Sequence, residues 1–276
     1  MNLEATSFTK AYPLLKARMV RDGKEVKTEA WQGIDVSNRP DMVTFELLNM
    51  RFHLALFGLE SLNHWRGDIR PNLPWADDHF CERVSGEPLN PPPSWAWWPW
   101  AGSADKFRAD EQFNHTYPER YWPKYAGITT QGRLEDGPST LMVPHKGIRW
   151  TYGDLDDVVE LLRQQPHTRQ AYLPMFFPED TGIGDGGRKP CTLGYQFIMR
   201  ENRLHCFYPM RSCDLIRHFP DDVYLTVRLI IWVLEQLRHK NEQWKQVRPG
   251  TLTMHMTSLH CFTNDMLTLR REHEAH

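Results

Sequence analysis

Apolar positions along the chain switch between helical and strand spacing. From Phe45 to Trp65 the run FELLNMRFHLALFGLESLNHW carries them at helical intervals and predicts a helix that stops at Gly67. A second helix is predicted at GDLDDVVELLRQQ, where Asp154 offers an acidic cap and Leu155, Val158, Val159 and Leu162 form the apolar face. RQAYLPMFF reads as a strand. CTLGYQFIM and RLHCFYPM read as two more, joined by a turn at Glu201-Asn202. Asp221 is placed to cap the longest helix, DVYLTVRLIIWVLEQLRHK, and TLTMHMTSLHCF is the last predicted strand. Helices and strands mix without a regular βαβ alternation, which favours an α+β sheet domain over a doubly wound one.

Two segments stand outside this pattern. PNLPWADDHF and NPPPSWAWWPWAG are dense in proline and tryptophan, and prolines at that density forbid long helices and central strands. The favoured reading is a tryptophan-pinned insertion packed on the main domain, with an aromatic platform for a ligand as its alternative. GIGDGG reads as a flexible loop, because it lacks the Lys-Ser/Thr ending of a phosphate-binding loop and no clear helix follows it.

Composition narrows the class of protein. Hydrophobic residues at 40% and charged residues at 25% suit a globular chain with a real core. A net charge of -2 gives no overall pull toward nucleic acid or membranes, so an anionic ligand has to be held by local Arg and Lys clusters. No apolar stretch approaches the roughly 20 residues of a membrane helix, and MNLEATSFTK lacks the apolar centre of a signal peptide. The five cysteines form no CxxC pair and are odd in number, which argues against a zinc site and against a disulfide framework. A cytoplasmic location in a reducing cytosol is the simplest expectation.

Candidate chemistry centres on Cys191. It follows Pro190 and opens a predicted strand, with Arg169 upstream and Arg211 downstream. Alone it would be a small buried hydrophobe. Its company changes that reading: Arg211-Ser212-x-Asp214 supplies a guanidinium and a hydroxyl suited to a phosphate monoester. Nearby cations also favour the thiolate. The competing reading of Arg169 and Arg211 is a pair of surface ion pairs.

Six ordered stretches together resemble the thymidylate synthase family and, within it, the (d)CMP hydroxymethylases. Glu60 lies seven residues before Gly67-Asp68, as in the family's glutamate helix. Tyr117 in HTYPERYW is similar to the tyrosine beside the reactive cysteine. QQPHTRQAYL resembles the P-x-S-R-R segment, with Arg169 as the first arginine and Gln170 in place of the second. KPCTLGYQFIM resembles the nucleophile motif, with Gln196 and Phe197 in register. PMRSCDLIRHFPDD resembles the R-S-x-D stretch, and TMHMTSLHCF the H-x-Y segment, with Phe262 where tyrosine is usual. The Pro/Trp insertion, about 88–113, has no counterpart.

The resemblance implies a single domain over 1–276 with a bent mixed β-sheet flanked by helices. It implies a homodimer that acts on CMP or dCMP with 5,10-methylenetetrahydrofolate. Cys191 would add to carbon 6 of the pyrimidine and make carbon 5 nucleophilic. Glu60 would organise proton transfers, and Tyr117 would help remove the carbon-5 proton. Arg211, Ser212, Arg169 from the partner subunit, and Lys24 or Lys27 would hold the phosphate. Gln196 and Asp222 would face the base, His260 the sugar and Asp214 the folate. Asp222 stands where thymidylate synthases carry asparagine. A carboxylate accepts from the cytosine amine and from a ring nitrogen that gains a proton, whereas it repels a uracil carbonyl. The chain ends at His276, sixteen residues after His260, whereas methylating relatives continue further and fold a tail over the folate. Both features imply a hydroxymethylated product. A uridylate (UMP or dUMP) methylase is the alternative. From another class comes a non-catalytic nucleotide- or RNA-binding relative, which loss of Cys191 or Glu60 would have marked.

Overall fold

The computed structural model describes residues 2–31, 34–104, 108–109, 111–124, 152–182 and 188–275. Most of the GIGDGG loop, residues 183–187, lies outside them, as do residues 105–107 and 110 of the Pro/Trp insertion. A seven-stranded sheet is built from β1 (Asn2–Ala5), β2 (Lys24–Val26), β3 (Thr44–Ala55), β4 (Tyr172–Pro174), β5 (Gly194–Arg200), β6 (Arg203–Asp214) and β7 (Arg248–Phe262). Their order is β1-β3-β7-β6-β5-β4, with β2 beside β3. The β1–β3 and β6–β7 pairs are parallel and the others antiparallel. The main helices are α1 (Phe8–Asp22), α2 (Leu62–Ile69), α3 (Trp75–Arg83), α4 (Tyr117–Tyr121), α5 (Leu155–Gln164), α6 (Phe219–Lys240) and α7 (Thr263–Glu274). This is the α+β mixed sheet flanked by helices that the sequence implies.

The predicted helix over 45–65 is instead the strand β3, a loop and the short helix α2. The reason is a slip in alternation. Met50, Phe52 and Leu54 are buried at period two, and so are Phe45 and Leu47, but Leu48 and Asn49 between the two runs are exposed. The slip leaves Leu47, Met50 and Leu54 at i, i+3 and i+7, which imitates a helical face. Asn49 takes φ 55° at that point. The same level is interrupted in the neighbouring strands. Pairing runs Met50↔Met256 and Leu48↔Ser258 between β3 and β7, and Met210↔Met256 and Ser212↔Ser258 between β6 and β7. Asn49, Thr257 and Arg211 drop out together, and buried residues change parity on each strand, from Met210 to Cys213 on β6 and from Met256 to Leu259 on β7.

Elsewhere local signals and structure agree. Asp154 caps α5 by accepting from Asp157 N–H at 3.1 Å while Asp157 returns the bond at 2.9 Å, and all four predicted apolar residues are buried. Glu201 and Asn202 carry φ of 50° and 53°, the two left-handed residues that a tight hairpin between β5 and β6 needs. The longest helix starts earlier than predicted, at Phe219 behind His218, so Asp221 lies in its first turn and does not cap it. No described helix is long and apolar enough to cross a membrane.

One contiguous core joins the sheet to its helices. Phe8 and Tyr12 of α1 meet Phe52 of β3 and Phe219 of α6 in an aromatic cluster. Asp68, after the Gly67 that the sequence marks as a stop, holds the start of α1. Its carboxylate accepts from Phe8 N–H at 2.6 Å, Thr9 N–H at 3.2 Å and the Ser7 hydroxyl at 2.6 Å. These are donors that a helix N-terminus cannot pair internally. Asp68→Ala is expected to cost about 1–3 kcal/mol in urea unfolding with the m-value unchanged. An unaltered midpoint would show that the cap contributes nothing.

Candidate active site

Beyond the sheet interruption, one cleft collects side chains from distant parts of the chain. Trp75, His79 and Arg83 come from α3; Trp95 and Trp98 from the Pro/Trp segment; Tyr117 from the start of α4. Cys191 comes from the strand approach, Ser212, Cys213 and Asp214 from the end of β6, and Asp221 and Asp222 from the first turn of α6. Strict alternation would divide Met210, Ser212, Cys213 and Asp214 between two faces of β6. All four border this cleft.

Arg211, at the interruption, shapes the loop that carries the thiol. Its Nε donates to Pro190 O at 2.9 Å and its Nη2 to Lys189 O at 2.9 Å, while its Nη1 donates to Ser212 Oγ at 3.3 Å. A guanidinium has five N–H bonds, so two remain for an anion. Ser212 Oγ donates to Cys191 Sγ at 3.4 Å. Cys191 is half-buried, where it stays reachable from the cleft. The thiol, the hydroxyl and the cation named from sequence are thus brought together.

Tyr117 and Asp222 border the cleft beside Cys191. A capping box between Thr116 and Glu119 starts α4 and fixes Tyr117 at its first residue. The Tyr117 hydroxyl lies 2.9 Å from Thr192 Oγ1, which lies 2.8 Å from the Tyr208 hydroxyl. Burial pushes the Tyr117 phenol up to about 12, with Cys191 and Asp222 adding to the rise and Arg83 opposing it. Burial also raises the Asp222 carboxyl to about 7; Arg83 and the Cys213 thiol, 3.7 Å from Oδ2, hold it down, and Asp221 and Asp214 push it up. Its neighbour Asp221 accepts from Asn72 N–H and Nδ2, each at 2.8 Å, and is raised by burial.

The rest of the cleft is aromatic, with one carboxylate facing it. Trp75 packs against Trp98 at 5.9 Å and stacks on His79 at 4.9 Å, while Trp98 stacks on His218 at 5.7 Å. Asp214 Oδ1 accepts from the N–H groups of Ile216 and Arg217 at 2.9 Å each. Its buried Oδ2 has no hydrogen-bond partner, with Arg217 Nε at 3.8 Å. Burial raises this carboxyl to about 6. The insertion is closed at its neck by Asn90, which exchanges two hydrogen bonds with the Phe113 backbone at 2.7 and 2.9 Å. It packs on the domain and lines the cleft at once.

Other residues named from sequence lie elsewhere. Glu60 is gripped by Arg238, whose Nη1 and Nη2 donate at 2.7 and 2.8 Å. That arginine stands sixteen residues beyond Asp222 on α6, about 24 Å along the axis at 1.5 Å per residue, so Glu60 is outside the cleft. Gln196 points to the opposite sheet face, where its Nε2 donates to Arg169 O at 2.9 Å. Arg169 itself is exposed. Lys24 pairs in register with Glu46, and Lys27 lies 3.9 Å from Glu25 at the surface. His260 follows the cleft wall rather than lining it, and burial lowers its imidazole to about 4. Phe262 lies under the Arg217 guanidinium at 4.5 Å.

Sequence reasoning missed Trp75, His79 and Arg83. They repeat at i, i+4 and i+8, a helical signal that the surrounding prolines masked; Pro74 in fact stands just before the first residue of α3. His79 is held neutral, lowered to about 4 by burial, beside Glu82 at 3.3 Å and Ser94 at 3.2 Å.

A thiol, an arginine–serine pair and a buried carboxyl thus lie together around one cleft beside a mixed sheet. The family model described as Thymidylate synthase matches residues 98–274, well over half of the chain, and the chain belongs to the thymidylate synthase family. It is 28% identical over 112 residues to a protein of Methanosarcina barkeri (strain Fusaro / DSM 804) named "Putative thymidylate synthase", covering 40% of this chain and 46% of that one. A Methanosarcina mazei protein of the same name is 23% identical over 162 residues, covering 58% of this chain and 68% of that one. The chain thus spans about half the length of the first of these relatives.

The Asp222 carboxyl binds its proton more tightly when folded, from the ordinary 3.8 to about 7. Its contribution to stability therefore falls as pH rises through that window and stays low above it. Asp222→Asn removes this loss. The variant is expected to gain on wild type by about 1–4 kcal/mol more at pH 8 than at pH 4 in urea unfolding. A gap independent of pH would show that Asp222 titrates normally.

Proposed function

We propose that the chain is a one-carbon transferase of pyrimidine nucleotides, a hydroxymethylase that converts CMP or dCMP to the 5-hydroxymethyl product with 5,10-methylenetetrahydrofolate. The observation that carries this reading is Asp222, a carboxyl poised near neutrality in the same cleft as the Cys191 thiol. As Cys191 Sγ bonds to carbon 6, electrons move toward ring nitrogen 3, and protonated Asp222 can deliver the proton there while its other oxygen accepts from the exocyclic amine. The charged hydrogen bond that results is worth on the order of 1.5–3 kcal/mol. Tyr117, bonded to Thr192, is the group placed to assist removal of the carbon-5 proton. With Glu60 held by Arg238, the proton work expected of it passes to Asp222 and Tyr117.

The two spare N–H bonds of Arg211 and the Ser212 hydroxyl form the phosphate end, with His260 toward the sugar. The aromatic wall around Trp75 and Trp98 and the unpartnered Asp214 Oδ2 suit a flat heterocycle with N–H donors, which is the chemistry of the folate. Bound there, methylenetetrahydrofolate supplies a one-carbon unit at the level of formaldehyde. The assembly is a homodimer through the open sheet face, where Tyr172, Phe207 and Leu48 are exposed, and there Arg169 reaches the partner's phosphate site. A uridylate methylase is the second reading, favoured by one observation: a protonated Asp222 can also donate to a uracil carbonyl.

The deciding assay incubates the protein with methylenetetrahydrofolate and each of CMP, dCMP, UMP and dUMP. The expected product is a cytidylate heavier by one CH₂O unit, with no rise in absorbance from dihydrofolate. Cys191→Ser should end turnover, and Asp222→Asn should move the kcat/KM ratio toward the uridylate. A methylated uridylate with stoichiometric dihydrofolate would instead establish the second reading.

The shared site has its own test. Inactive Arg169→Ala and Cys191→Ser subunits, mixed under conditions of proven exchange, should recover activity, because one hybrid site holds both native residues. No recovery would place Arg169 outside the site.

A further inference from the structure

Arg83 ends α3 inside the cleft, not at the surface. It is 4% exposed and borders the same space as Cys191, Tyr117 and Asp222. Buried guanidinium groups normally meet a carboxylate. Among the described residues none lies within ion-pair distance of Arg83, and its buried Nε has no hydrogen-bond partner. The guanidinium carbon sits 4.2 Å from the centre of the Tyr117 ring, against the negative face of the aromatic system. The Arg83 carbonyl accepts from Trp122 Nε1 at 2.9 Å, which ties the helix end to the segment that follows α4. The cation is therefore held in place with no counter-ion at ion-pair distance among the described residues.

We propose that Arg83 is a positioning residue of this site: stacked on the Tyr117 ring, its buried charge acts across the cleft on the Asp222 carboxyl and holds the Tyr117 hydroxyl toward Thr192. What Asp222 and Tyr117 then do to a nucleotide rests on the reading given above; the electrostatic coupling does not. The groups that face Asp222 are Asp221 from its own helix, Cys213, Asp214 and Tyr208 from β6, Tyr117 from α4 and Arg83 from α3. His79 and His218 border the cleft too, and burial keeps both neutral at ordinary pH. Cys191, His115 and a second cation, Arg188, border the cleft as well, Arg188 lying over the Trp98 ring at 5.8 Å, whereas Arg83 is the cation stacked on Tyr117. A cation at this place offsets part of the burial that favours the protonated carboxyl.

The test follows the Asp222 side chain by ¹³C NMR across pH in the ligand-free full chain, with Asp222→Asn to assign the signal. Arg83→Gln and Arg83→Met, the latter keeping the volume of the stem, should each raise the Asp222 midpoint by about one unit or more. Arg83→Lys, which keeps a charge, should raise it less. A neutral variant that folds and retains the wild-type midpoint overturns the proposal. Wild type carries a second arm that needs no substitution: the Arg83 Nε resonance should move with the Asp222 midpoint, and a flat trace overturns the coupling even if no neutral variant folds. Where turnover is measurable, the limb of the pH–kcat profile that reports Asp222 should move upward in Arg83→Gln by the same amount. If wild type transforms no nucleotide, the functional reading fails while both NMR arms still decide the role of Arg83.

Discussion

Strict alternation along a strand sends neighbouring side chains to opposite faces of a sheet, and no strand that keeps it can turn four consecutive-range residues toward one ligand. The sheet escapes this constraint by breaking alternation on three adjacent strands at one level, at Asn49, Thr257 and Arg211. Because the break is shared, pairing resumes with the same partners on either side and the core stays filled. What changes is direction. Ser212, Cys213 and Asp214 reach the cleft together, and Arg211 is freed from the ladder to bind the loop carbonyls of Lys189 and Pro190. The position of the Cys191 thiol therefore depends on a backbone irregularity in the strands beside it, and only indirectly on the sequence around the cysteine.

The cleft then differentiates three buried carboxyls by what surrounds each. Asp214 has two backbone N–H donors on one oxygen and nothing on the other; Asp221 has both oxygens occupied by Asn72. Asp222 has only a thiol at 3.7 Å and the field of Arg83. A thiol is a weak donor, so burial dominates and Asp222 becomes the carboxyl whose protonation changes nearest neutrality. The division of labour is physical before it is catalytic: the neighbour with the good donor fork is structural, and the one without them is free to exchange a proton.

Much of this was legible in the chain, and the failures have specific causes. α5, the β5–β6 hairpin and the late strand β7 follow local rules of capping, turn chemistry and patterning, and were readable for that reason. β3 was misread because its parity slip turns two strand faces into a helical spacing, so the feature that builds the site also hid the strand. α3 was hidden by prolines that lie before it and not within it. Motif order named Cys191, Arg211, Ser212, Asp214 and Asp222 together; the last four are spaced by the continuous backbone of β6 and α6, and Cys191 is tied to them by the Arg211 N–H at 2.9 Å. Glu60 and Gln196 had similar support from motif, yet their side chains end at Arg238 and at the Arg169 carbonyl. Motif order fixes where a residue falls along the chain. It does not fix which partner captures a flexible side chain at the end of it.

That distinction explains where the missing glutamate's work can go. Glu60 sits in the loop before α2, and the bidentate grip of Arg238, which also donates to the Val247 carbonyl, lowers its carboxyl below the ordinary range. A carboxylate stabilised in this way is a poor proton carrier near neutrality, even if a motion of the loop brought it nearer. Asp222 is the opposite case, raised by burial to about 7; Tyr117, raised to about 12, borders Cys191 beside it, and both feel the one cation of α3. Under the proposed function, proton transfer at this site would be organised from the first turn of α6 and the end of α3. In this chain the Pro/Trp segment that covers α3 belongs to the same arrangement, because Trp98 packs against Trp75 and His218 and borders the cleft that Asp222 lines.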